Sequence, residues 1–199
     1  MPRRLQHRGG LSGPRSPEGF GDIAREVWLA PGRFFGRLDP KGGLLRPTLF
    51  ASLVLYVNLL LEEVLQEAWR LEFNYGLLTA ALPGLIVALV LAPLLVLGLS
   101  LLVLTILDGA PSRRKLGPVF RALGYATAIG LVFWIPYASI VALPYGLYVA
   151  IVAVKEVLSI SWSRAAVAAL VPLGAVLLVM LLLAGPTGAY ELLINPPGE

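Results

Sequence analysis

Between Leu77 and Leu107 the chain runs 31 residues without a charged side chain. In lipid every backbone polar group must be satisfied internally, so such a run can only be helical there. Wound as one straight helix it is about 46 Å long at 1.5 Å per residue, against about 30 Å of hydrocarbon in a bilayer. It therefore crosses a membrane once, and tilt, kink or protrusion absorbs the excess. Pro83 and Pro93 are the expected kink sites. The rest of the chain agrees: 57% of residues are hydrophobic and 14% charged, where soluble domains carry about 25% charged residues.

Other hydrophobic segments have the length of spans, about 20 residues each. The first is expected over Leu44–Leu65, interrupted late by Asn58, Glu62 and Glu63, and is followed by a loop at Gln66–Gly76. A basic loop, Asp108–Pro118, carries Arg113, Arg114 and Lys115. A third span is expected over Val119–Ser139, with Arg121 at its mouth, and a fourth over Ile140–Val154, with Pro136 and Pro144 bracketing the tight connection. Lys155, Glu156 and Arg164 mark the next loop, and a fifth span covers Ala165–Ala184 before Gly185-Pro186. The fold class is all-α: a polytopic transmembrane helix bundle of five spans preceded by an amphipathic segment. The expected division is a disordered basic tail at 1–20, an interfacial segment at 21–43, the five-span domain at 44–185 and a short extracytoplasmic tail at 186–199.

Loops on the cytoplasmic side of a membrane are enriched in Lys and Arg. With five spans, fifteen of the sixteen basic residues share one side and only Arg70 lies on the other. Localisation in the cell membrane with the amino end cytoplasmic and the carboxyl end outside follows. The first residues lack the apolar stretch of a signal peptide. The net charge of +4 borders apolar segments, which suits a membrane surface rather than nucleic acid.

Within the amphipathic segment, Asp22 can cap a helix beginning at Ile23, and Pro31-Gly32 should break it into two pieces. Trp28, Arg33, Phe34 and Phe35 mix aromatic and basic character in the way of a helix lying in the headgroup layer, and are expected at the membrane surface. Small residues at four-residue spacing line three of the hydrophobic runs: Gly76, Ala80, Gly84, Ala88 and Ala92; Ala122, Ala126 and Gly130; Ala138, Ala142, Gly146 and Ala150. Such stripes let helices approach closely and also suit a homo-oligomer.

The chain offers little chemistry. It has no cysteine and one histidine, His7, so thiol catalysis and an imidazole metal site are excluded within one chain. No phosphate-cradling glycine loop and no nucleophile–base pair is visible. No cofactor and no metal is expected. Ionisable residues inside a membrane are the default candidates for function. Asn58 and Glu62 share a helix face at i, i+4, with Glu63 about 100° away, and are the candidate ligand-binding pair.

Several stretches carry a family likeness: Pro118-Val-Phe-Arg-Ala-Leu-Gly-Tyr-Ala126, Ile135-Pro136, Ile151-Val-Ala-Val-Lys-Glu156, Arg164-Ala165 and Pro172. The amino-terminal stretch Glu26–Pro47, with Pro31, Phe34-Phe35 and Gly43, adds to it. Over residues 25–185 the chain resembles the bacterial branch of the Yip (Ypt-interacting-protein) family. It departs at Ile129, where many members have proline, and at Ala153, where glycine is usual. The resemblance implies five spans and a cytoplasmic amino end. Eukaryotic members are associated with Rab-type GTPases and vesicle trafficking, and no catalytic residue carries over. The expected function is a non-enzymatic scaffold that binds membrane lipids or a protein partner, or shapes the bilayer. The alternative is a small transporter, channel or lipid-translocating protein using the polar site near Glu62.

Overall fold

The computed structural model describes residues 19–39, 41–70, 76–110, 112–135 and 137–172. All regular structure among them is helical: α1 (Phe20–Leu29), α2 (Pro31–Gly36), α3 (Leu45–Arg70), α4 (Gly76–Asp108), α5 (Arg113–Ala126), a 3-10 helix (Thr127–Val132) and α6 (Ala138–Leu158). A further helix, α7, covers 162–172.

Three stretches are long and apolar enough to cross a bilayer: Leu45–Leu65 in α3, Ala81–Asp108 in α4 and Ile140–Leu158 in α6. They coincide with the first, second and fourth expected spans. α4 continues as helix through both Pro83 and Pro93, and Gly109, at φ 74°, closes it by donating its N–H to the Thr105 carbonyl at 2.8 Å. A left-handed residue just past a helix end is favoured at glycine, which has no Cβ to clash. The expected loop at Gln66–Gly76 is shorter than its sequence suggests, because α3 carries on to Arg70. Likewise the Arg113-Arg114-Lys115 triplet forms the first turn of α5 instead of a loop.

The third segment differs most from expectation. It is no single α-helix: α5 stops at Ala126 and tightens into the 3-10 helix. Thr127 donates its hydroxyl to the Gly124 carbonyl at 2.6 Å, which favours the tighter winding at that junction. The two pieces add to about 33 Å at 1.5 and 2.0 Å per residue. The reversal into α6 is made by Tyr137, a left-handed residue at φ 63°. The fifth expected span begins in α7; the rest of it, and both tails, lie outside the described residues.

α5 is the central helix. Every residue from Val119 to Tyr125 is buried. Ala122 and Tyr125 belong to one apolar cluster, with Val27, Phe35, Phe50, Val149 and Val152. Val119, Phe120 and Leu123 belong to a second, with Val96, Leu104, Val154 and Ala168. Small residues allow this crowding. A Cβ on Gly124 would stand 3.1 Å from the Pro47 Cβ and 3.2 Å from its carbonyl oxygen, so α5 and α3 meet nearly backbone to backbone. On α4 the expected stripe faces inward, with Ala88 and Ala92 buried and Val96, Ser100 and Val103 continuing it. Leu85, Ile86, Leu89 and Val90 face outward, as lipid-facing side chains should.

Candidate functional site

The structure brings Asn58 and Glu62 to one cavity of about 600 Å³, walled by α3, α4, the α5–3-10 segment, α6 and α7. Val54, Asn58 and Glu62, one turn apart, belong to its α3 wall together with Ala51, Leu55 and Leu59. Glu63 does not line it, although Leu55 and Leu59, two turns and one turn earlier on the same face as Glu63, do. The volume suits a small organic molecule or part of a lipid chain.

Its walls are overwhelmingly apolar: Leu95, Val96, Leu99, Leu123, Ile129 and Leu147 among others. The polar groups at its edge are mostly spent on the backbone. Thr127 is bonded to Gly124, and the Trp134 indole N–H donates to the Leu131 carbonyl at 2.8 Å. Asn58 donates Nδ2 to the Val54 carbonyl at 2.9 Å, one turn earlier. Its Oδ1 is buried and has no hydrogen-bond partner among the described residues. Glu62 is exposed, so its carboxylate sits at the rim. The groups left over are thus acceptors: one amide oxygen inside and one carboxylate at the mouth. A buried acceptor without a donor costs roughly 1–3 kcal/mol, so the cavity favours an occupant that donates a hydrogen bond from an otherwise apolar body.

The residues expected at the membrane surface divide. Phe34 and Phe35 are 6% and 1% exposed and are interior residues, a correction to their expected place in the headgroup layer. Phe34 stands edge-on to Tyr125 with ring centroids 5.4 Å apart. Trp28 is half-buried. Its indole N–H donates to the Ala128 carbonyl at 3.0 Å, its own carbonyl accepts from the Tyr145 hydroxyl, and its ring stacks on Tyr145 at 5.6 Å. Arg33 is exposed. The physical reason is that the aromatic face of α1–α2 found a protein partner, the groove between α5, the 3-10 helix and α6, and burial there satisfies the indole N–H as lipid cannot. Asp22 also differs: α1 begins at Phe20, so Asp22 sits in its first turn and makes no capping bond. The break at Pro31 occurs where expected, with Ala30 between the two helices.

One end of the bundle gathers the charged features. Arg164 at the start of α7 reaches the Leu107 carbonyl near the end of α4 at 3.4 Å. A Cβ on Gly36 of α2 would lie 3.7 Å from the Glu156 carboxylate near the end of α6. Lys115 and Asp108 pair at 2.9 Å across the α4–α5 turn. The amino-terminal helices and both later basic turns therefore lie together.

The Yip1 domain family matches the chain over residues 25–184. The chain belongs to the Yip1 family. The Yip1 match takes in the second half of α1 and all of α2 along with the hydrophobic helices. Comparison with curated proteins and with solved structures returned no match. The family and the apolar helices together make this a multi-pass membrane protein.

Sequence reasoning missed Arg121. Read as a residue at the mouth of a span, it is 4% exposed and donates Nη1 to the Gly42 carbonyl, in the connection between α2 and α3. The signal was available: a single guanidinium inside the apolar run Val119–Ala126, where burial of a charge demands a partner.

Proposed function

We propose that this Yip1-family protein is a non-enzymatic membrane scaffold of five spans, with its amino end cytoplasmic and its carboxyl end outside, that presents a rigid charged platform to lipids or a protein partner. The observation that carries the reading is the locking of α1 and α2 into the bundle. Ala24, Val27, Phe34 and Phe35 are buried, while Asp22, Arg25, Arg33 and Arg37 on the opposite face are exposed. A helical pair held this way is preorganised, and a preorganised surface loses less ordering entropy on binding. The gathering of the basic turns beside that platform supports the orientation, since Lys and Arg concentrate on the cytoplasmic side.

A second reading has one observation in its favour, the unsatisfied Oδ1 of Asn58 above the Glu62 rim. On that reading the cavity binds or passes an apolar molecule with a hydrogen-bond donor. The apolar walls favour the scaffold over an ion path, because an ion needs a continuous polar lining. Leaflet exchange of a fluorescent phosphatidylethanolamine in reconstituted vesicles, an apolar-chained molecule whose ammonium group donates hydrogen bonds, separates the two. The reconstituted chain should add no exchange above protein-free vesicles. An exchange abolished by Glu62→Gln and kept by Glu63→Gln would replace the scaffold with a transporter.

A further inference from the structure

A larger cavity, about 860 Å³, opens where α1, α2, Asp39, Gly42 and Gly43, the start of α3 and the middle of α5 converge. Arg37, Arg46 and Arg121 line it against a single carboxylate among the described residues, Asp39. Not all of these charges are equally available. Arg37 pairs with Glu26. Asp39 turns its Oδ1 to the Lys41 backbone N–H at 2.8 Å, folding its own loop. Arg121 is held in place through Gly42, where a Cβ would lie 3.8 Å from the guanidinium. Arg46 is exposed and makes no hydrogen bond or ion pair among the described residues. Arg46, Arg121 and Tyr125 line the same cavity, so both guanidinium groups border one space.

The rest of the wall has the opposite character. Leu45, Leu49 and Leu53 follow one another at four-residue spacing on α3, and all three line the cavity. They are 70%, 50% and 41% exposed, so a continuous apolar strip leads away from Arg46 along the part of α3 that can cross a bilayer. Phe20 and Phe50, with ring centroids 4.8 Å apart, close the inner side.

We propose that this cavity seats an anionic phospholipid, with its phosphate between Arg46 and Arg121 and an acyl chain along Leu45, Leu49 and Leu53. Guanidinium groups match phosphate oxygens in geometry as well as charge. A free phosphate would engage the arginines and leave the leucine strip uncovered; a neutral lipid would cover the strip and leave Arg46 uncompensated. A lipid with net negative charge satisfies both halves, and such lipids are concentrated in the cytoplasmic leaflet. The inference rests on the scaffold reading for its orientation alone, and a scaffold that fails the following test still stands or falls on the leaflet-exchange assay.

The full chain is reconstituted in phosphatidylcholine vesicles with trace chain-labelled spin probes of phosphatidylglycerol or phosphatidylcholine. Electron spin resonance reads the fraction of each probe immobilised by protein. Wild type should immobilise phosphatidylglycerol several-fold more strongly than phosphatidylcholine, and the preference should survive 0.5 M salt in part, because a partly enclosed pair is screened less than a surface one. Arg46→Gln should reduce the preference at least twofold, Arg46→Lys should keep part of it, and Arg113→Gln, an exposed charge in the first turn of α5, should leave it unchanged. Should Arg46→Gln fail to fold, wild type decides alone: millimolar glycerol 3-phosphate should not displace the labelled lipid. Equal probes in wild type, equal losses in Arg46→Gln and Arg113→Gln, or displacement by the soluble phosphate would each overturn the lipid site.

Discussion

Gly124→Ala tests the closest helix contact in the bundle. The added Cβ would stand 3.1 Å from the Pro47 Cβ and 3.2 Å from the Pro47 carbonyl oxygen. Carbon contacts are comfortable at about 3.5–4.0 Å, so α3 and α5 must separate by a few tenths of an ångström. Neither can yield by rotating a side chain, since Pro47 is rigid and α5 is buried along Val119–Tyr125. Overpacking of this kind costs about 1–3 kcal/mol. It is partly offset because alanine is a better helix former than glycine, by about 0.8–1.0 kcal/mol. Gly98→Ala supplies the control: it lies inside α4, and its Cβ would meet nothing within 4 Å. The propensity gain is common to both, so the difference between the two variants isolates the steric cost, about 1–3 kcal/mol. Equilibrium unfolding in mixed detergent and SDS micelles measures it. Equal midpoints for the two variants would mean that Pro47 does not constrain α5, and the backbone contact would have to be abandoned.

The amino-terminal lock gives a further expectation. Trp28→Phe strands the Ala128 carbonyl and Tyr145→Phe strands that of Trp28, so each should cost about 0.5–1.5 kcal/mol; a double-mutant cycle should show coupling, and strict additivity in the unfolding midpoints would count against the shared network. For topology, the chain has no natural cysteine, so Ser112→Cys and Thr187→Cys can be labelled singly with an impermeant maleimide; five spans put them on opposite sides, and labelling from the same side would rule that number out.

Membrane residence and the helical class were legible in the chain because they rest on local quantities. An uncharged run such as Leu77–Leu107 can satisfy its backbone in lipid only as a helix, and α4 spans Gly76–Asp108 accordingly. The placing of Asn58 and Glu62 on one wall was likewise fixed by their i, i+4 spacing. The break at Pro31 needed only a proline's rigidity. What the sequence left open was decided by partners remote along the chain. An aromatic, basic helix suits a headgroup layer or a protein groove equally well, and Phe34 and Phe35 became interior because α5 and α6 provide the groove. The lock between Trp28 and Ala128 joins residues 100 apart, and the contact of Arg121 with Gly42 joins residues 79 apart. Hydropathy averages over a window and carries no knowledge of such neighbours. Only the packed bundle shows that α5 is its central helix, that Arg121 is buried there, and that the leucine face of α3 opens beside it.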